Sequence, residues 1–239
     1  MIEPRELPRE LPRDAAELPA LREQTVTVFK AGEGTRPDVR VVRWQGEPYV
    51  LKDYSLCSPW FRTAVGRLLV WRETSALTAL AGVSGIPGLV ARLGPLAFLM
   101  EYLPGTLPAR KRPALIDDAF MQRLQRLVNS MHAAGVAHCD LRRSSNILVN
   151  DDGQPFIVDF VSCVHAGPRW NLLWRAVFRR FCEADRKALF KLKSRVAPDL
   201  LSSEEAGQLQ HTRFERFFRA IGHGVRVLAR VLLAQDKRQ

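Results

Sequence analysis

The densest set of chemically useful side chains in this 239-residue chain is His138-Cys139-Asp140-Leu141-Arg142-Arg143-Ser144-Ser145-Asn146-Ile147-Leu148-Val149. Thirteen positions after Asn146 comes Asp159, in Val158-Asp159-Phe160. A loop aspartate positioned by a nearby histidine can accept the proton of an attacking hydroxyl, while an asparagine and a second aspartate can hold Mg²⁺ on phosphate oxygens. That division suits phosphoryl transfer, whose transition state is stabilised mainly by positioning and charge neutralisation. His-x-Asp alone is weak evidence, because both residues are common in turns. Combined with an Asn before a short strand and Asp-Phe after the next strand, it is hard to obtain by chance.

The set resembles the catalytic loop and metal-binding aspartate of the protein-kinase-like superfamily. The resemblance implies that Asp140 acts as base or hydroxyl-positioner and that Asn146 and Asp159 bind Mg²⁺. Tyr49-Val50-Leu51-Lys52 matches the strand that carries the phosphate-binding lysine, and Glu73, 21 residues later in a helical pattern, falls where its partner belongs. Lys52 would then hold the α- and β-phosphates of ATP, and Glu73 would keep it from swinging away. Leu99-Met100-Glu101-Tyr102-Leu103-Pro104-Gly105 looks like the hinge, where the carbonyl of Glu101 and the amide of Leu103 would bond adenine. Gly32 and Gly34 stand in the place of the glycine-rich loop that cradles phosphates.

Several positions depart from that pattern. Pro37 replaces a third glycine, so the expected cradle is one tight turn. Five residues rather than four separate Asp140 from Asn146, and Val161 follows Asp-Phe where the family has Gly. No activation segment is evident, and Ala197-Pro198-Asp199 reads as a helix break. A trimmed C-lobe of this kind is similar to RIO-type kinases and bacterial lipopolysaccharide-core (Kdo/heptose) kinases. Arg67, Arg72-Glu73, Leu80-Ala81-Gly82, Gly85-Ile86-Pro87 and His138-x-Asp140-Leu141 carry that likeness, over residues 25–165. It implies an ATP- and Mg²⁺-dependent kinase, with a lipopolysaccharide-core sugar as the favoured acceptor. The alternatives are a RIO-like protein serine/threonine kinase and a nucleotide-binding pseudokinase scaffold.

The elements that must position these residues follow from periodicity. Thr25–Ala31, Val39–Trp44 and Tyr49–Tyr54 predict an antiparallel meander. Ser58-Pro59 opens a helix to Ala81 that places Glu73 on the same face as Leu69, Ala76, Leu77 and Leu80. Ala97–Tyr102 predicts a buried strand after a Gly/Pro-rich turn, Ile116–Gly135 a helix, and Ile147–Val149 with Phe156–Val158 a hairpin. The expected architecture is α+β and two-lobed: a leader at 1–20, an antiparallel-sheet N-lobe at 21–103, and a helical C-lobe at 104–239 with a basic tail at 169–239.

Composition narrows the partners. With 36 Lys+Arg against 25 Asp+Glu the chain carries +11. Of this, +2 lies in residues 1–168 (20 minus 18) and +9 in 169–239 (16 minus 7). The tail pattern predicts two amphipathic helices. One places Trp170, Leu173, Trp174, Val177 and Phe181 opposite Arg175 and Arg179; the other runs from Phe214 to Leu232. Besides ATP, the expected partners are a glycolipid or protein acceptor and the anionic surface of the cytoplasmic membrane. Nucleic acid is the weaker option, because no recognised binding motif accompanies the arginines. The apolar runs are too short or too interrupted to span a bilayer, no secretory h-region is visible, and the expected location is the cytoplasm. Cys57, Cys139, Cys163 and Cys182 have neither zinc nor disulfide-framework spacing.

Overall fold

Runs rich in Val, Tyr and Trp form β1 (Thr25–Lys30), β2 (Asp38–Trp44) and β3 (Glu47–Asp53) in a computed structural model of the chain. The structure describes Pro12 and residues 14–107 and 115–198. These belong to one unit, Met1–Leu201; a second, Ser202–Gln239, lies outside the described residues, as does the predicted helix from Phe214 to Leu232. Gln45 and Gly46, at φ 50° and 87°, make the two-residue turn between β2 and β3, where both positions must be left-handed to match strand twist.

Two further strands, β4 (Leu89–Arg92) and β5 (Ala97–Glu101), complete a sheet of order β1-β2-β3-β5-β4 with every pairing antiparallel. The sequence predicts β5 but reads the β4 region as a turn, because four residues flanked by glycines show no period. Alternation divides the sheet into two faces. Val50, Phe98 and Met100 point into the main core, where Val39 packs against them. Val42, Tyr49, Leu51, Ala97 and Leu99 face the other way and are covered by Leu18 and Leu21 of α1 (Leu18–Glu23).

Residues 14–20 are therefore not leader but structure. Asp14 accepts the Ala16 N–H at 2.7 Å to cap the helical turn Ala15–Glu17, and α1 follows directly. The outer sheet face needs an apolar cover, and two leucines three positions apart supply it. Most of the preceding Pro-Arg-Glu-Leu repeat lies outside the described residues.

The long helix after Ser58 arrives in three pieces: α2 (Pro59–Phe61), a π-helical turn at Arg62–Gly66, and α3 (Arg67–Ala79). As predicted, Glu73 lies in the buried stripe of α3, between Val70 and Leu77. After β5 the chain leaves the sheet, and Thr106 exchanges both backbone hydrogen bonds with Val149, tying the crossing segment to the hairpin below. Asp117 caps α4 (Asp118–Ala133), which buries Phe120, Leu124, Leu127, Val128 and Met131. The pair β7 (Ile147–Val149) and β8 (Pro155–Ile157) forms the predicted hairpin, one residue earlier in its second strand. The two-residue strands β6 (Val136–Ala137) and β9 (Val164–His165) pair across the loop region and are too short to read from sequence.

α5 (Leu172–Val196) ends at Ala197-Pro198, as the sequence predicts. Its buried stripe runs through Phe178, Cys182, Asp185, Leu189 and Leu192 rather than through the predicted tryptophans. Trp170, just before α5, and Leu173, in its first turn, are 81% and 85% exposed, whereas the buried stripe starts only at Phe178. No helix among the described residues is long and apolar enough to cross a membrane.

Candidate active site

Lys52, the penultimate residue of β3, lies on the core face and meets α3 there. Its Nζ lies 2.8 Å from Glu73 Oε1 and 2.7 Å from Oε2, and a third carboxylate oxygen, Asp159 Oδ1, is 2.9 Å away. Lys52 is 4% and Glu73 1% exposed, so the pair is removed from water and held by mutual attraction. Burial is the largest influence and alone would drive the Lys52 ammonium to lose its proton, but the charges of Glu73, Tyr54 and Asp159 and the hydrogen bond to Glu73 together outweigh it and raise the pKa. Burial raises the Glu73 pKa despite Lys52. Asp159 goes the other way: burial works against ionisation, yet Lys52 prevails and lowers it to about 2.

The predicted loop residues converge beneath. Asp140 donates its backbone N–H to His138 Nδ1 at 3.2 Å, which leaves Nε2 to donate to the Val158 carbonyl at 3.1 Å. The fully buried imidazole therefore spans from Asp140 to the residue before Asp159, and its ring packs on Phe160 at 4.9 Å. The extra residue between Asp140 and Asn146 is taken up by a 3₁₀ turn at Ser144–Asn146. That turn brings Asn146 Nδ2 back to the Asp140 carbonyl at 3.1 Å and to within 3.5 Å of Oδ2. Burial raises the Asp140 pKa, opposed by Arg143, whose Nε is 3.3 Å from Oδ2.

A residue the sequence reading missed anchors this loop. Asp185 of α5, 1% exposed, accepts the backbone N–H groups of His138 at 2.7 Å and Cys139 at 2.8 Å. His132 Nε2 lies 3.1 Å from the same carboxylate. The available signal was an acid in step with Phe178, Cys182, Leu189 and Leu192, the same signal that marked Glu73.

The remaining predicted residues lie at the edges of this cluster. Gly34 is left-handed at φ 58° in a turn closed by reciprocal Glu33 and Arg36 backbone bonds. The Gly32 N–H donates to Asp38 Oδ1 at 3.2 Å, so that amide is already engaged. Glu101 closes β5, its Oε2 accepting the Gly88 N–H at 2.8 Å, and Leu103 lies half-buried where the chain leaves the sheet.

A five-stranded antiparallel sheet, an α3 glutamate paired with a strand lysine, and an Asp–Asn loop above a helical base define a protein-kinase-like fold. Among solved structures it is similar to the Rio2 kinase from Chaetomium thermophilum, with a TM-score of 0.57 and 17% identity over 79% of this chain and 62% of that one. It is also similar to the Rio2 kinase–ADP/Mg²⁺–phosphoaspartate complex from the same organism, with a TM-score of 0.52 and 19% identity over 79% of this chain and 61% of that one. The fold is thus related to that of the RIO kinases, and the chain spans about three fifths of these neighbours' length. No family model and no curated protein matches the chain.

Proposed function

We propose that the chain is an ATP-dependent phosphotransferase that moves the γ-phosphate to a hydroxyl, with a RIO-like protein serine/threonine acceptor as the best reading. The observation that carries it is Lys52, shared between Glu73 and Asp159 within 2.9 Å. Lys52 holds the α- and β-phosphates and Glu73 fixes its direction. Asp140, made more basic by burial, orients the acceptor hydroxyl and takes its proton as the new P–O bond forms. The bond to the β-phosphate breaks, and ADP departs.

The residues fit a hard cation. Asp159 is a carboxylate held ionised, and Asn146 adds an amide oxygen beside Asp140. Mg²⁺ bound by Asp159 and Asn146 would neutralise charge on the phosphates. The second Rio2 neighbour was solved with ADP and Mg²⁺, which supports the same nucleotide and metal here.

The sequence favours a lipopolysaccharide-core sugar as acceptor, and the neighbours support the protein-kinase alternative better. Incubation with γ-labelled ATP and Mg²⁺, offering a generic protein and a membrane glycolipid in parallel, separates them. Acid-stable label on Ser or Thr that vanishes in Asp140→Ala is the expected result, and label only in glycolipid overturns the protein acceptor. Hydroxylamine-labile label on the chain itself would identify an acyl phosphate, the kind of group held in the phosphoaspartate neighbour. Nucleotide binding without any transfer would favour the pseudokinase scaffold, a reading supported by the engaged Gly32 amide.

A peripheral contact with an anionic membrane remains part of the proposal. Its support is the exposed Trp170, Leu172 and Leu173 beside the exposed Arg169, Arg175 and Arg179. Sedimentation with phosphatidylglycerol vesicles, lost in Trp170→Ser/Leu173→Ser, is the expected outcome.

A further inference from the structure

Building on the nucleotide site proposed above, we propose that Lys30 is a second phosphate-binding cation, which grips the β- and γ-phosphates from the end of β1 in place of glycine-loop amides. Three independent features of the sheet converge on it.

The first is register. Past a register shift between Val28 and Lys30, Lys30 pairs with Val39, Val39 with Lys52, and Lys52 with Phe98, so the four residues form one row across β1, β2, β3 and β5. Directly paired residues of an antiparallel sheet project to the same face. That face is the one on which Val39 and Phe98 meet the main core and Lys52 meets Glu73. With strands about 4.8 Å apart, the Lys30 and Lys52 backbones are separated by about 10 Å, a gap that two flexible four-carbon stems can bracket around a polyphosphate.

The second is availability. Lys52 is buried in its ion pairs, whereas Lys30 is exposed and makes no hydrogen bond or ion pair among the described residues. Its positive charge nevertheless helps to lower the Asp159 pKa, so it lies within electrostatic reach of that carboxylate.

The third is what the neighbouring turn has lost. A phosphate cradle works through free backbone N–H groups. Here the Gly32 N–H is taken by Asp38, and the Glu33 and Arg36 N–H groups are taken by each other's carbonyls. Asp38 is 2% exposed and is itself tied to Arg40, so it does not release that amide cheaply. Only the Gly34 and Thr35 N–H groups at the tip of the turn are left without a partner among the described residues, so a polyphosphate arriving there gains from a further donor, and the cation two residues before Gly32 is placed to be it.

The test is calorimetric titration of wild-type protein, Lys30→Ala and Lys30→Arg with Mg²⁺-ATP, Mg²⁺-ADP and adenosine. Loss of a charge-assisted phosphate contact lowers ATP and ADP affinity about tenfold in Lys30→Ala, leaves adenosine within about twofold, and is largely restored in Lys30→Arg. Arg43→Ala, which removes an exposed cation from the far end of β2, leaves all three affinities at the wild-type value. ATP affinity unchanged in Lys30→Ala overturns the assignment, as does an equal loss for adenosine, which would mark a structural residue. Wild-type protein that binds neither ATP nor ADP overturns the nucleotide site itself and this inference with it.

Discussion

Asp185 receives the backbone N–H of His138 at 2.7 Å, from a carboxylate almost wholly removed from water and 47 residues away in the chain. Its other oxygen takes the N–H of Cys139, which stands at φ 67°, a conformation that costs a non-glycine residue about 1 to 2 kcal/mol. One carboxylate thus holds in place the strained backbone that presents Asp140.

Asp185→Ala leaves the buried His138 N–H and the part-buried Cys139 N–H without acceptors, at about 1 to 3 kcal/mol for the first and less for the second. The expected result is a loss of about 2 to 5 kcal/mol in urea denaturation. Asp185→Asn keeps one acceptor oxygen and should lose about half as much. If the clamp positions Asp140, the turnover number falls further than ATP affinity in Asp185→Asn. Equal effects on both would reduce the residue to a structural role.

Lys52 and Glu73 form the second test. Removing one member of a buried pair strands the other charge, so Lys52→Met should cost about 3 to 5 kcal/mol. Lys52→Met/Glu73→Leu removes both charges and should regain more than half of that loss, because neither side chain then needs water. Both variants abolish phosphotransfer under the proposed mechanism. Stability in the double variant no better than in the single one would mean that Asp159, the third carboxylate at Lys52, dominates the coupling.

Glu73 was legible because an acid in step with Leu69, Ala76 and Leu77 must be buried if the helix packs, and burial requires a cation. Lys52 was legible from its strand, and Asp140, Asn146 and Asp159 from their order and spacing. Asp185 carries the same kind of signal as Glu73, but the apolar face predicted for α5 ran through Trp170, Leu173, Trp174, Val177 and Phe181, so the stripe that holds Asp185 was not read as buried. The capture of the Gly32 amide by Asp38 had no local signal, since it depends on how β1 and β2 fold back on each other. α1 was hidden by the proline repeat before it, although its two leucines match the outer face of a sheet that could itself be predicted. The exposed Trp170 and Leu173 mark the opposite limit: period alone does not tell which turns of a helix reach the core.

Acid should expose the Asp159 contribution. Burial raises and Lys52 lowers its pKa, and the net value of about 2 lies below that of an ordinary aspartate. The ionised group therefore stabilises the fold at every pH above the ordinary value, and this stabilisation disappears as pH falls from about 4 toward 2. Screened by the third of the side chain that is exposed, it amounts to about 1 to 2 kcal/mol. Glu73 has the opposite sign, since its raised pKa favours the fold at low pH and that favour is lost as pH rises through the folded value. Subtracting the Asp159→Asn curve from the wild-type curve isolates the Asp159 part. A stability difference that stays constant between about pH 5 and pH 3 would show that Asp159 has no depressed pKa in the folded protein.

The cysteines offer a test that needs no substrate. Burial pushes the thiols of Cys57, Cys163 and Cys182 up to about 11, and raises Cys139 further still. Against an ordinary value of 9.0, a pKa of about 11 lowers the reactive thiolate fraction about a hundredfold at neutral pH. Cys139 sits beside Asp140, so its reactivity also reports on the loop that Asp185 clamps. Native protein at about pH 8 should consume a disulfide reagent at least about a hundredfold more slowly than urea-unfolded protein, with all four thiols counted after unfolding. In Asp185→Asn the Cys139 thiol should become the fastest of the four, because the backbone holding it is released while the other three remain packed. Uniform acceleration of all four thiols would instead mean that the substitution loosens the whole core rather than this loop.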